Sequence, residues 1–267
     1  MSALITDLQR LGLRAGDRVV VHSSLRAFGH VDGGAEAVVR ALLETVGSDG
    51  LLVAPTFTYF SQRFDPGREP GLTGRIAETI RTWPGAVRSW HPTHSVAAIG
   101  AEAEAICAGH HLVGGLAVDS PLDRLARQGG YVLLIGVGHA TNSTVHAGEA
   151  HVPVPYLDVP FRPDNAREAT VLVNGEEMRV PLLHPPGCSR AFGAVERPLR
   201  KRGAIRDGRI GRALSQLVRG RDVVETAVEL LRGDPAALLC TDPECYRCAE
   251  ARRAWTRRDD KRRRPLW

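Results

Sequence analysis

Apolar positions recur at a spacing of about 3.6 residues from Leu4 to Leu13 and again from Ala35 to Val46, with Gly16 and Gly47 following the two runs. Such periodicity predicts amphipathic helices, and a glycine after a helix supplies the left-handed backbone that ends it. Arg18 to His22 is a short β-branched run leading into Ser23-Ser24, and Leu51 to Ala54 is continuously apolar up to Pro55. Short runs bounded by turn residues predict buried strands. The same patterns predict helices over Ile76–Thr82, Glu102–Gly109 and Pro121–Gln128, and strands over Ser95–Ile99 and Tyr131–Val137. Alternation of strand and helix predicts an α/β fold with a mixed sheet flanked by helices.

The texture changes after Pro153. Prolines at 153, 155, 160 and 163 precede two alternating runs, Ala169–Val173 and Met178–Leu182, joined across Asn174-Gly175. Asn-Gly between alternating runs predicts a hairpin, because both residues tolerate the positive φ of a tight turn. Helices are expected over Ala191–Arg202 and Ile210–Leu231, before a cysteine-containing end. This reading divides the chain into a main lobe at 1–152, a smaller C-terminal lobe at 153–250 and a basic tail at 251–267.

With 43% apolar and 24% charged residues among 267, the composition is that of an ordinary globular protein. No run approaches the roughly 18 uninterrupted apolar residues of a membrane helix, and the first ten residues lack the pattern of a secretion signal. A cytoplasmic protein without a membrane partner is expected. The net charge of +5 is unevenly spread: residues 1–189 hold 15 Lys/Arg against 19 Asp/Glu, whereas 190–232 and 251–267 each carry a surplus of six positive charges. The basic character therefore belongs to the C-terminal third, and Arg252–Arg264 reads as a solvated tail rather than a nucleic-acid reader. An acidic surplus over the first 189 residues suits a cationic ligand.

The chemistry concentrates after the most apolar strand. Gly136-Val137-Gly138 leads to Asn142-Ser143-Thr144-Val145-His146-Ala147-Gly148-Glu149. If a helix starts near Ser143, Glu149 lies three residues beyond His146 on the same face. A carboxylate there holds one imidazole nitrogen and leaves the other as a general base. A surface helix carrying His and Glu without function fits the spacing equally well. A second group, His22-Ser23-Ser24-Leu25-Arg26 with Gly29 and Gly33-Gly34, places small residues at a strand end before a helix, as a phosphate or carbonyl cradle does. An ordinary strand-to-helix turn has the same pattern.

Seven motifs in this order resemble the aminoglycoside 3-N-acetyltransferases, over nearly the whole chain. They are Val21-His22-Ser23-Ser24-Leu25-Arg26, Pro55-Thr56-Phe57-Thr58, Phe64-Asp65-Pro66, Arg88-Ser89-Trp90-His91-Pro92, Asp119-Ser120-Pro121, Leu134-Ile135-Gly136-Val137-Gly138 and Asn142–Glu149. The apramycin-type branch is most similar, through Arg221-Asp222-Val223-Val224 and the cysteine-rich end. The resemblance implies the antibiotic N-acetyltransferase fold and direct acetyl transfer from acetyl-CoA to the 3-amino group of an aminoglycoside. It implies His146 as base and Glu149 as its orienting partner. Ser23, Ser24, Leu25, Arg26, Phe28 and Gly29 would line the coenzyme A tunnel, with His91, Thr93 and Ser95 near its pantetheine arm. A structural role for His91, bonded to backbone, is the alternative. For the polycationic acceptor the carboxylates of Asp65, Asp119, Asp123 and Asp158 are the candidates, though each also fits a surface or capping role.

Cys240, Cys245 and Cys248 follow Cys188 by about 50 residues, and Cys107 stands apart. Two paired thiols with two further ones form a structural zinc pattern, closed and therefore not catalytic. The apramycin-type enzymes are similar at these places. The alternative is four reduced thiols close in sequence. Two other functions remain open: a same-family acetyltransferase acting on another amine in biosynthesis, and a zinc-containing nucleic-acid-binding protein using its basic end. The first reading has an aminoglycoside and acetyl-CoA as partners, no nucleic acid, and room for a homodimer.

Overall fold

The computed structural model describes residues 2–59, 61–157, 159, 167–183 and 187–263, with side chains as far as Trp255. In chain order the elements begin with α1 (Ser2–Leu11), β1 (Arg18–Ser23), α2 (Gly34–Val46), β2 (Leu51–Pro55), β3 (Arg63–Phe64), α3 (Arg75–Arg81), β4 (Val87–Arg88) and β5 (Val96–Gly100). There follow α4 (Ala103–Cys107), α5 (Pro121–Arg127), β6 (Tyr131–Ile135), α6 (Thr144–Ala150), β7 (Glu168–Val173) and β8 (Glu176–Pro181). The last are α7 (Glu196–Lys201), β9 (Ile205–Ile210), β10 (Ala213–Arg219), α8 (Gly220–Gly233) and α9 (Tyr246–Arg263).

The main sheet has the order β4-β5-β2-β1-β6-β10-β9. Its centre, β2-β1-β6, is parallel, and antiparallel strands continue it on both sides. This is the expected mixed sheet. Side chains alternate across it, as the pleat requires. Val20, Val53, Val132 and Leu134 enter one core with Leu122 and Leu125 of α5, Val145 of α6 and Val223 and Ala227 of α8. Val19, Val21, Leu52 and Leu133 enter the other with Leu8 of α1, Val39 and Leu42 of α2, and Ile76 and Ile80 of α3. No described helix is long and apolar enough to cross a membrane.

The hairpin expected around Asn174-Gly175 is present: β7 pairs antiparallel with β8, and the two turn residues have φ 52 and 86. With β3 it forms a separate three-stranded sheet over a small core of Phe64, Val171 and Val180.

The chain departs from expectation beyond residue 190. The helix expected over Ala191–Arg202 is divided into a 3-10 turn, Phe192–Val195, and the short α7. The helix expected over Ile210–Leu231 begins only at Gly220, and its first part is β10, with Leu217 opposite Leu133 of β6. Ala213, Ser215 and Leu217 are buried with the more exposed Leu214 and Gln216 between them, the period of two that a strand requires, although Ser and Gln weaken it as an apolar pattern. Strand β9 was not expected at all. Strands β9 and β10 complete the main sheet, and Phe192, Leu199 and Leu239 share a core with Val20 and Leu134. Helix α9 carries the backbone of the expected tail on to Arg263.

Candidate active site

A cavity of about 790 Å³ opens where the parallel strands end. Its wall includes His22 and Ser23 at the end of β1, Pro55 and Phe57 at the end of β2, and Val137, Thr141 and Ser143 after β6. Strand β1 has β2 on one side and β6 on the other, and such a divergence of connections at the carboxyl ends of parallel strands is where α/β folds hold ligands. The volume falls within the range of small-molecule sites, about 300 to 1,000 Å³.

His146 stands in this wall, on α6. The Asn142 side-chain oxygen accepts the Thr144 N–H at 3.1 Å and starts the helix there. One turn separates His146 from Glu149, and the imidazole Nδ1–H donates to the Glu149 carboxylate at 2.5 Å. Both residues are buried, and Phe192 packs on the imidazole with ring centroids 4.5 Å apart. With Nδ1 committed to the carboxylate, Nε2 carries the lone pair. The pair can hold, orient and move one proton.

Three further histidines line the cavity: His22, His91 and His94. Burial holds each of them down at about 3, reinforced by His139 for His22, by His94 and His111 for His91, and by His146 and His110 for His94. They are therefore neutral near pH 7. His91 Nδ1 accepts the N–H of His94 at 3.1 Å, so its proton is on Nε2, a buried atom without a hydrogen-bond partner among the described residues. His94 Nδ1 pairs with the Thr93 hydroxyl at 2.8 Å.

The family profile described as "Aminoglycoside 3-N-acetyltransferase" matches residues 20–232. The chain belongs to this family. It is 34% identical over 239 residues to aminoglycoside N(3)-acetyltransferase IV of Salmonella sp, covering 88% of each chain. It is 36% identical to aminoglycoside N(3)-acetyltransferase VII of Streptomyces paromomycinus, over 84% of this chain and 88% of that one. Among solved structures it is similar to the apoenzyme of aminoglycoside acetyltransferase AAC(3)-IVa, with a TM-score of 0.82, 33% identity and 95% and 96% of the two chains covered. These matches agree with the resemblance to the apramycin-type branch and with the fold expected from it.

Within this acetyltransferase the expected site residues are not all brought together. His146, Ser23, His91 and Thr93 line the cavity. The Ser24 N–H donates to Ile135 O at 2.9 Å, and Leu25–Phe28 form one 3-10 turn that Gly29 closes with φ 72. Phe28 is 2% exposed and belongs to the core under α1 and α2, where its apolar ring is favoured over a place in the wall. Leu25 packs against the same core and Arg26 is exposed. Ser95 is fully buried and its hydroxyl donates to Thr56 O at 2.9 Å, behind the wall.

The carboxylates expected for the acceptor stand elsewhere. Asp65 accepts the Gly67 and Arg68 N–H groups and shapes its own turn. Asp123 is fully buried and accepts the Asp119 N–H at 2.9 Å, Arg127 Nε at 3.1 Å and His151 Nε2 at 2.7 Å. Asp119 is bonded to Arg127. None of these three is in the cavity wall, and Asp158 lies outside the described residues. Sequence reading missed His94, Tyr59 and Arg190, all of which line the cavity. His94 itself carried no distinguishing spacing, although His91, Thr93 and Ser95 beside it were candidates, and Tyr59 and Arg190 come from distant loops.

Cys188, Cys240, Cys245 and Cys248 converge, their Sγ atoms all within 4.8 Å of one another. Cys188 and Cys240 Sγ are 3.7 Å apart, too far for a disulfide and close to the edge of about 3.8 Å that four thiolates make around a zinc with Zn–S of about 2.3 Å. Hydrogen bonding from Cys248 holds the Cys188 thiol down at about 5, and the Arg190 N–H adds to this at 3.3 Å. The donor set fits a soft, tetrahedral ion. Cys107 is separate and buried, and burial pushes its thiol up to about 12.

Proposed function

We propose that this acetyltransferase moves the acetyl group of acetyl-CoA directly to the 3-amino group of an aminoglycoside, with His146 as general base and Glu149 as its orienting partner. The hydrogen bond between His146 Nδ1 and Glu149, in the wall of a cavity of about 790 Å³, carries the proposal. Relatives bind the two classes of reactant: AAC-IIIb has been crystallised with CoASH, and AAC(3)-IVa with a gentamicin and with apramycin.

An ammonium has no lone pair and cannot attack a thioester until it loses a proton. His146 Nε2 takes that proton, and Glu149 steadies the imidazolium that results. The freed amine attacks the thioester carbonyl, the C–S bond breaks, and the second proton shed by the nitrogen passes to the departing thiolate to give CoASH, while His146 releases its own proton to solvent. Direct transfer is supported by the residues around the base: among the described residues no serine or cysteine is hydrogen-bonded to His146. Cys188, in the same wall, belongs to the thiol cluster. Holding both reactants in one cavity supplies several kcal/mol of the barrier lowering through proximity alone, about 7 to 11 kcal/mol at the upper limit. Ser23, His91 and Thr93 serve the coenzyme A side, with the turn through Gly29 behind them.

The same proposal includes a structural Zn²⁺ on Cys188, Cys240, Cys245 and Cys248. It would pin the segment before α9 to the loop at 187–190, and its four thiolates leave no position open for chemistry.

The function is tested by thiol release from acetyl-CoA with apramycin, gentamicin or a simple alkylamine, and by NMR of the product. Release is expected with the aminoglycosides, with the new acetyl group on the 3-nitrogen. Equal rates with the alkylamine, or an acetyl group elsewhere, would overturn it.

A further inference from the structure

We infer that Tyr59 is the residue that recognises the acceptor, offering an aromatic ring at the cavity mouth to an ammonium-bearing sugar. The inference rests on the acetyl-transfer reading above and specifies how the second substrate is held.

Tyr59 follows Phe57-Thr58 out of the end of β2 and lines the cavity. Its φ is 61, in the left-handed region that bulky aromatic residues avoid. The surroundings impose this conformation. The Thr58 and Tyr59 N–H groups both donate to Thr93 O, at 3.1 and 3.0 Å, and the Thr58 hydroxyl donates to Pro92 O. The segment is thereby tied to the turn that carries His91 and His94.

The ring is braced as well. It meets Phe57 with centroids 5.8 Å apart and planes at 83°, and His94 at 5.9 Å and 90°. Nevertheless Tyr59 is 41% exposed. A ring braced by Phe57 and His94, on a strained backbone, and 41% exposed is not explained by core packing. Strain of this kind persists where the fold over-determines it, and it gathers at ligand sites.

The composition of the wall gives the ring its task. Among the described lining residues there is no carboxylate. His22, His91 and His94 are neutral near pH 7. Among the described residues, an ammonium entering here meets uncharged imidazoles and the negative face of an aromatic ring. Tyrosine attracts an ammonium over its face, and its flat apolar surface also covers the C–H face of a sugar. Exposed Leu72 and Leu183, which line the same mouth, extend that apolar surface.

Three variants separate recognition from scaffolding. Tyr59→Phe keeps the ring; Tyr59→Asn removes it but suits a positive φ; Tyr59→Leu keeps apolar bulk without a π face. Apramycin and acetyl-CoA are varied independently in steady-state assays, apramycin binding is measured by calorimetry, and melting temperatures are recorded. Tyr59→Asn and Tyr59→Leu are expected to raise the apramycin KM and Kd by about threefold to thirtyfold, the span of one cation–π contact. The acetyl-CoA KM should not move in either, and Tyr59→Phe should resemble the wild type in every measure. Unchanged apramycin constants in Tyr59→Asn and Tyr59→Leu, beside an active wild type, overturn this inference alone, as does an equal rise in both KM values. A wild type that neither binds nor acetylates an aminoglycoside overturns the functional reading and this inference with it.

Discussion

The ring of Phe192 meets that of His146 with centroids 4.5 Å apart and planes at 70°. Phe192 is fully buried, its N–H donates to Ser189 O at 3.0 Å, and Cys188 stands four positions before it. The base therefore leans on a loop that the thiol cluster holds. If the proposed zinc is bound, a chelator, or replacing Cys248 with Ser, is expected to lower the melting temperature first and kcat as a consequence, because ligand binding to the folded state is folding free energy. Elemental analysis should find one zinc per chain. A chain without zinc whose melting temperature is indifferent to chelator and to Cys248→Ser would remove the site.

Acidification should destabilise the protein through its cavity histidines. His22, His91 and His94 are held down at about 3 from an ordinary value of 6.5, mainly by burial. Between these values the unfolded chain binds more protons than the folded one, so stability rises with pH across the window and falls as pH drops below about 6.5. Above it the three groups are neutral in both states and contribute no slope. Denaturant unfolding between pH 5 and 7.5 should show a plateau at the alkaline end and a steady loss below it, with proton uptake on unfolding. A flat profile down to pH 5 would contradict the burial of these rings.

Helix α6 is fixed against α8 by a close approach at Gly148. A Cβ added there would stand 2.4 Å from the Cβ of Ala227 and 2.9 Å from Val224 O, closer than atoms tolerate. Gly148→Ala is expected to destabilise the fold by about 1 to 3 kcal/mol and to lower kcat, since His146 and Glu149 ride on the same helix. Thermal unfolding and steady-state kinetics check this; full stability and full activity would show that α6 is not set by that contact.

Much of the fold is legible in the sequence because periodicity reports which side of an element is buried. The runs at 4–13, 35–46 and 131–137 gave α1, α2 and β6 in this way, and Asn174-Gly175 gave its hairpin by turn chemistry alone. The spacing of His146 and Glu149 was enough for their contact, since three residues on a helix make one face. Strand β10 was hidden because Ser215 is a buried polar residue and the run continues without a break into α8. The surroundings of Asp123 were not legible, because a sequence cannot show that a carboxylate is enclosed by Arg127, His151 and a backbone N–H. Tyr59 and His94 belong to loops 35 residues apart, and the fold alone brings them together.

The central claim is that His146 strips the proton from the attacking amine. The most direct measurement is kcat for His146→Ala with saturating apramycin and acetyl-CoA, alongside coenzyme A affinity by calorimetry. Turnover should fall by at least about a hundredfold, the usual contribution of a positioned base, while coenzyme A binds as before. Wild-type turnover in the variant would contradict the account.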